Sequence, residues 1–250
     1  MAISRTPPSA VRWQLRSEVG FGCPMCGSPH LEYHHFDPLF SEEPHHRPEG
    51  MIALCATHHA QADGLTKEQI RKIKSNKKLH VSSNFLWRRK HTVFVCGGIC
   101  AYKCNTMLRV MGFDLIFFEN DIDGYETLSL NIYDRCLNPI LVMRQNDWIS
   151  RTDVDDLHVP PGGRTMQMHS KIRGVAVEIE FKDRQRLDRR ELAVANDLSI
   201  PSDENVVFCY FRGEIAAPVP VVFKQEGIEI GGMTIGGGVM SYCDTGIQVA

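Results

Sequence analysis

At 250 residues the chain suits one large domain or two small ones, and it is long enough to bury a core without disulfide staples. Hydrophobic residues make up 43% and charged residues 23%, which excludes a mostly disordered or collagen-like chain. No apolar run approaches the roughly 18 residues that span a bilayer, and the N-terminal segment lacks an apolar secretory core, so the expected setting is cytoplasmic with no membrane partner.

In chain order, the pattern predicts a helix over 9–19, with Ser9 as its candidate cap and Gly20 past its end. A turn carrying Cys23 and Cys26 leads to a strand over 31–36. A loop over 37–50 holds His45 and His46 and reads as solvated and polar. A second apolar strand follows over 51–55. A helix over 56–63 stops near Gly64, and another over 66–78 starts at Thr66 as cap with Glu68 in its first turn. Beyond about residue 82 the segments are short, alternating or β-branched, and punctuated by Gly, Asp and Asn. They predict a mainly-β domain over 84–250, interrupted by a helix near 186–197. The fold class is therefore α+β, with a small module over 1–80 preceding the β domain.

Charge and histidine are distributed unevenly over these parts. Residues 1–90 hold 13 Lys/Arg against 8 Asp/Glu, whereas 91–250 hold 15 against 22, so a polyanion would meet the front of the chain. Seven of the eleven histidines fall between His30 and His59, which marks a candidate site for metal or proton chemistry. The nine cysteines are odd in number, which favours reduced thiols and a metal over a disulfide framework.

Cys23 and Cys26 form one CxxC pair, and Cys55 and His58 repeat its spacing after 28 intervening residues. Two donors two residues apart grip one zinc ion from a single turn, and a second pair completes a tetrahedron. His59, next to His58, is the other imidazole within reach of that role. So small a segment has little core, and a structural zinc would contribute folding free energy directly.

The ordered set Cys23, Cys26, the His34-His35 pair followed by Pro38, and Leu54-Cys55 followed by His58-His59 resembles the HNH endonucleases, the ββα-metal nucleases, in the branch that carries a zinc knuckle. The resemblance covers about residues 10–65. It implies a zinc-stabilised ββα-metal module and metal-dependent hydrolysis of phosphodiester bonds, most readily in double-stranded DNA, with RNA as the other polynucleotide. It implies that His34 and His59 hold a catalytic divalent cation such as Mg²⁺ or Mn²⁺, and that His35 is the general base. Successive strand residues point to opposite faces, so His34 and His35 cannot do the same job. His59 and Asp63 lie four apart on one helix face, which makes Asp63 the candidate third ligand. The family's central Asn has no counterpart here. Gly50 stands in its place, with His46 or Asn76 as substitutes. The competing expectation is a zinc-binding nucleic-acid module that cuts nothing.

Arg71, Lys72, Lys74, Lys77 and Lys78 follow the motif and are candidate phosphate contacts. Arg5, Arg12 and Arg16 near the first helix, and Arg88, Arg89 and Lys90 beside Trp87, add to that charge. The acidic β domain is expected to select a target, to bind a protein partner or ligand, or to mediate self-association.

Overall fold

Leu15, Val19, Leu31, Phe36, Ile70 and the whole of 51–55 converge on a core made only of residues from the first part of the chain. In the computed structural model, which describes residues 3–77, 80–160, 162–200 and 206–250, this part comprises α1 (Ser9–Glu18), β1 (Leu31–His35), β2 (Met51–Cys55), α2 (Ala56–Ala62) and α3 (Lys67–Lys74). β1 and β2 pair antiparallel, with His34 opposite Ile52 and His35 opposite Met51. β2 is buried along its whole length because α1 and α3 both pack against it. That explains a strand with no polar alternation.

The helix signals hold with two adjustments. Thr66 caps α3 in a capping box with Gln69, as the sequence suggests, but α3 ends at Lys74. Ser9 is the first helical residue and not the cap; Pro8 occupies that position and has no side-chain oxygen to offer. Gly20 follows at a φ of 73°, where a side chain would be strained, and its N–H donates to the Ser17 carbonyl.

The remainder is built from β3 (His80–Asn84), β4 (His91–Cys96), β5 (Ile99–Val110), β6 (Phe113–Asn120), β7 (Glu126–Tyr133), β8 (Pro139–Arg144), β9 (Asp147–Arg151), β10 (Asp156–His158), β11 (Thr165–Ser170) and β12 (Val175–Lys182). It continues with α4 (Arg189–Asp197), β13 (Val206–Ile215), β14 (Val221–Lys224), β15 (Gly227–Ile230), β16 (Met233–Gly236) and β17 (Gly238–Val249). Strand exceeds helix, 47% against 17%, so the mixed fold is mostly β, as the sequence suggests. The hydrogen-bonded path runs β10-β11-β12-β13-β4-β5-β6-β7-β8-β9-β3, with β14, β15 and β16 branching from β13 and β17 added to β5. Two of its ladders are parallel, β13 with β4 and β5 with β17. β12 alternates buried and half-buried residues, the period-2 signature of a strand with one face on a core. Helix α4, capped by Asp188, covers Tyr102, Val206 and Phe208. Among the described residues no helix is long and apolar enough to cross a membrane.

β3, at 80–84, pairs with β9 and so belongs to the large sheet. The two parts also touch. Phe21, before the CxxC turn, packs into the large β core. Arg16 is buried and donates to both carboxylate oxygens of Asp156 at 2.9 and 3.1 Å. It therefore ties α1 to β10 and is not available to phosphate.

Candidate metal centre and adjoining histidine cluster

The turn after α1 is wound tightly enough to present two thiols together. The Cys26 and Gly27 amides both donate to the Cys23 carbonyl, and Gly27 sits at a φ of 82°. From the other side, Cys55 ends β2 and His58 lies one turn into α2. Cys26 Sγ and Cys55 Sγ are 3.7 Å apart, and His58 Nδ1 lies 3.3 Å from Cys23 Sγ and 3.2 Å from Cys55 Sγ. All four donor atoms fall within 4.8 Å of one another. A tetrahedral zinc with bonds of about 2.3 Å to sulfur sets sulfurs about 3.8 Å apart, which matches. Burial, with Cys23 and Cys55 alongside, pushes the Cys26 thiol up to about 11, and a bound cation reverses that penalty by taking thiolates. Three thiols and one imidazole form a soft donor set suited to zinc. Cys23, Cys26, Cys55 and His58 can thus hold a metal ion, and His58, not His59, is the fourth ligand of the set.

His59 points elsewhere. Its ring meets that of His34 edge-on, with centroids 5.1 Å apart, and its Nδ1 lies 3.6 Å from Glu32 Oε2. Glu32 and His34 are two residues apart on β1 and so share a face. The sequence reading passed over Glu32, although the period of two was the available signal. Asp63, the expected third ligand, is exposed at the C-terminal end of α2. Among the described residues the Cys/His set is the only group whose donor atoms converge; His34, His59 and Asp63 do not close into a second one. Burial holds the His34 imidazole below its usual range, with His59 and Arg5 adding to the effect.

His35 takes the opposite face of β1, as alternation requires. It is buried beneath the loop over 36–50, with Phe40 at 4.8 Å, His45 at 5.2 Å and His46 at 6.0 Å between ring centroids. Its Nε2 is 3.0 Å from the His45 backbone carbonyl. A carbonyl only accepts, so Nε2 carries the proton and Nδ1 carries the lone pair. Burial holds this imidazole down at about 4, hence neutral near pH 7.

Most of the loop is exposed or half-buried, as its composition suggests, but His45 and Gly50 are not. His45 is buried, its Nε2–H donates to the Pro38 carbonyl, and its Nδ1 accepts from the Arg47 amide. Gly50 is required here by close approach. Its carbonyl accepts from the Phe36 and Asp37 amides, and a Cβ on it would lie 2.0 Å from the Asp37 oxygen. An Asn cannot occupy this backbone, and the bracing of His35 falls to the His45 carbonyl.

Two of the basic residues assigned to phosphate hold this loop instead. Arg71 and Lys67 both pair with Asp37, and Lys74 donates to the Pro48 carbonyl and pairs with Glu18 at 2.8 Å. Lys72 and Lys77 are exposed, and Lys78 lies outside the described residues. The second cluster is likewise engaged, Arg88 with Asp121 and Lys90 with the Asp123 carbonyl. No family model matches this chain, and neither a curated protein nor a solved structure matches it.

Proposed function

We propose that the first part of the chain is a zinc-stabilised HNH-type endonuclease module that hydrolyses phosphodiester bonds in double-stranded DNA. The single observation that carries this reading is the division of labour across β1. His35 keeps an unprotonated Nδ1 on one face while His34 turns to His59 on the other.

His35 is the general base. Its tautomer is fixed by the His45 carbonyl, and its neutrality near pH 7 leaves Nδ1 ready to take a proton from water. His34 and His59 would hold a divalent cation, Mg²⁺ or Mn²⁺, which supplies charge stabilisation to the phosphate and the leaving oxygen. Ring centres about 5 Å apart suit two imidazoles that reach one ion at about 2.1 Å. Glu32, facing His59 Nδ1, leaves Nε2 for the ion and orients the ring, as a carboxylate behind a metal-bound histidine does. Lys72 and Lys77 are free to contact DNA phosphates without reading sequence.

A second reading, a zinc-binding nucleic-acid module without catalysis, draws on the burial of His35 and on the open geometry of His34, His59 and Asp63. Plasmid cleavage by zinc-loaded protein with added Mg²⁺ or Mn²⁺, beside His35→Ala, separates the two. Metal-dependent cutting lost in the variant supports the nuclease. Equal inertness with retained DNA binding supports the second reading.

A further inference from the structure

A cleft of about 430 Å³ opens beside His59 and is lined by residues from both parts of the chain, among them Arg5, Arg12, Glu32, Tyr33, His59 and His158. Arg5 precedes α1, Arg12 lies on it, and His158 ends β10. Arg16, paired with Asp156 next to His158, fixes β10 against α1 and so shapes the wall.

The two arginines on this wall differ from many other cations of the molecule, which are neutralised by a carboxylate. Arg71, Lys74, Arg88, Arg109, Arg173 and Arg212 each pair with a carboxylate. Arg5 and Arg12 are in no ion pair among the described residues, and Arg12 Nε is buried with no acceptor. Arg12 is half-buried and Arg5 exposed on this wall, so it carries two positive charges with no carboxylate paired to them. Guanidinium forks match phosphate oxygens in pairs. Tyr33 offers a ring on which a base can stack. The one carboxylate on the wall, Glu32, is turned to His59.

We propose that this cleft binds the backbone of a polynucleotide next to the phosphate at His34 and His59, with Arg5 and Arg12 as its phosphate contacts and His158 as the contribution of the β part. The proposal rests on the nucleic-acid reading of the histidine site. It gives the acidic β part a place in the binding surface.

The test is fluorescence anisotropy of a DNA duplex of about 20 base pairs, titrated with full-length zinc-loaded protein across a salt series. A His35→Ala background keeps the strand whole. Replacing Arg5 and Arg12 by Gln is expected to weaken binding about tenfold or more and to lower the salt slope by about 2, near 0.9 per lost phosphate contact. Arg5→Gln alone, at an exposed position, keeps the fold intact and is expected to lower the slope by about 1. Lys72→Gln/Lys77→Gln serves as the comparison, at exposed positions on α3 and just past its end, and is expected to have the smaller effect. An unchanged affinity and slope in Arg5→Gln/Arg12→Gln overturns the proposal, as does a parent protein that binds no duplex. Plasmid cleavage is scored separately. Weakened binding with a wild type that never cuts sustains the cleft and ends the nuclease reading. Wild-type cutting with unimpaired binding by the double variant does the reverse.

Discussion

The Nε2–H of His35 donates to the backbone carbonyl of His45 at 3.0 Å, so a loop ten residues further along the chain sets the tautomer of the buried imidazole on β1. The loop is itself closed by Gly50, whose carbonyl receives the Phe36 and Asp37 amides, and by Arg71 and Lys67 on α3, which hold Asp37. The proton position at His35 therefore depends on packing that spans β1, the loop and α3.

Gly50 is the most sensitive point of that closure. Gly50→Ala places a methyl group 2.0 Å from the Asp37 carbonyl oxygen, where no rotamer relieves it. Overpacking against backbone is expected to cost about 2–3 kcal/mol. Urea unfolding of the variant checks this. Gly50→Asn is expected to behave no better, because its Cβ meets the same oxygen. A variant as stable as wild type contradicts the account of the loop.

The metal centre predicts one zinc per chain, bound by three thiolates. Cys26→Ser and Cys55→Ser are each expected to lose zinc by elemental analysis. Chelation is expected to loosen the core around Leu15, Leu31 and Ile70 while the large β core persists. Hydrogen exchange resolves the two cores. Uniform protection after chelation contradicts a structural zinc.

Glu32 and Asp63 can be ranked directly. Both are exposed and outside the converging Cys/His set, but Glu32 lies 3.6 Å from His59 Nδ1. Glu32→Gln is expected to reduce metal-dependent cleavage about 10-fold or more, the size seen for carboxylates that orient metal-bound histidines. Asp63→Asn is expected to change it much less. The reverse order restores Asp63 as the ligand.

Acid stability has a separate locus in the β part. Asp153 is held at about 2, first by the hydrogen bond from Arg151 and also by Arg173. A depressed carboxyl contributes stability that is full above its unfolded value near 4, and this is lost as pH falls toward 2. Arg151→Gln is thus expected to be less stable than wild type at pH 7, by about 1 kcal/mol or less because the pair is solvent-screened. The gap should close by about pH 2. Urea midpoints at the two pH values measure it. A gap that widens in acid contradicts the assignment.

Local signals carried much of this far. The CxxC turn, the strand pair around the loop, the Thr66 cap and the alternation in β12 are all encoded within a few residues and were legible in the sequence. What escaped depends on distant partners. The parallel pairings of β4 with β13 and of β5 with β17 join segments more than a hundred residues apart, and nothing local marks them. Lys74 and Arg71 look like phosphate contacts until the fold brings Glu18 and Asp37 to them. His45 looks solvated until Pro38 and Arg47 close around it. Glu32 was accessible in principle, because a period of two puts it beside His34, but its importance emerges only with His59 opposite.

The central claim is that His35 acts as a base on a phosphodiester held beside His34 and His59. The most direct measurement is the rate of plasmid cleavage by zinc-loaded protein in Mg²⁺ or Mn²⁺, wild type against His35→Ala, with zinc content confirmed equal. The expected result is metal-dependent cutting that falls about 100-fold or more in the variant, the scale of a lost general base. Cutting at the same rate in both proteins, or none in either while DNA is still bound, would contradict it.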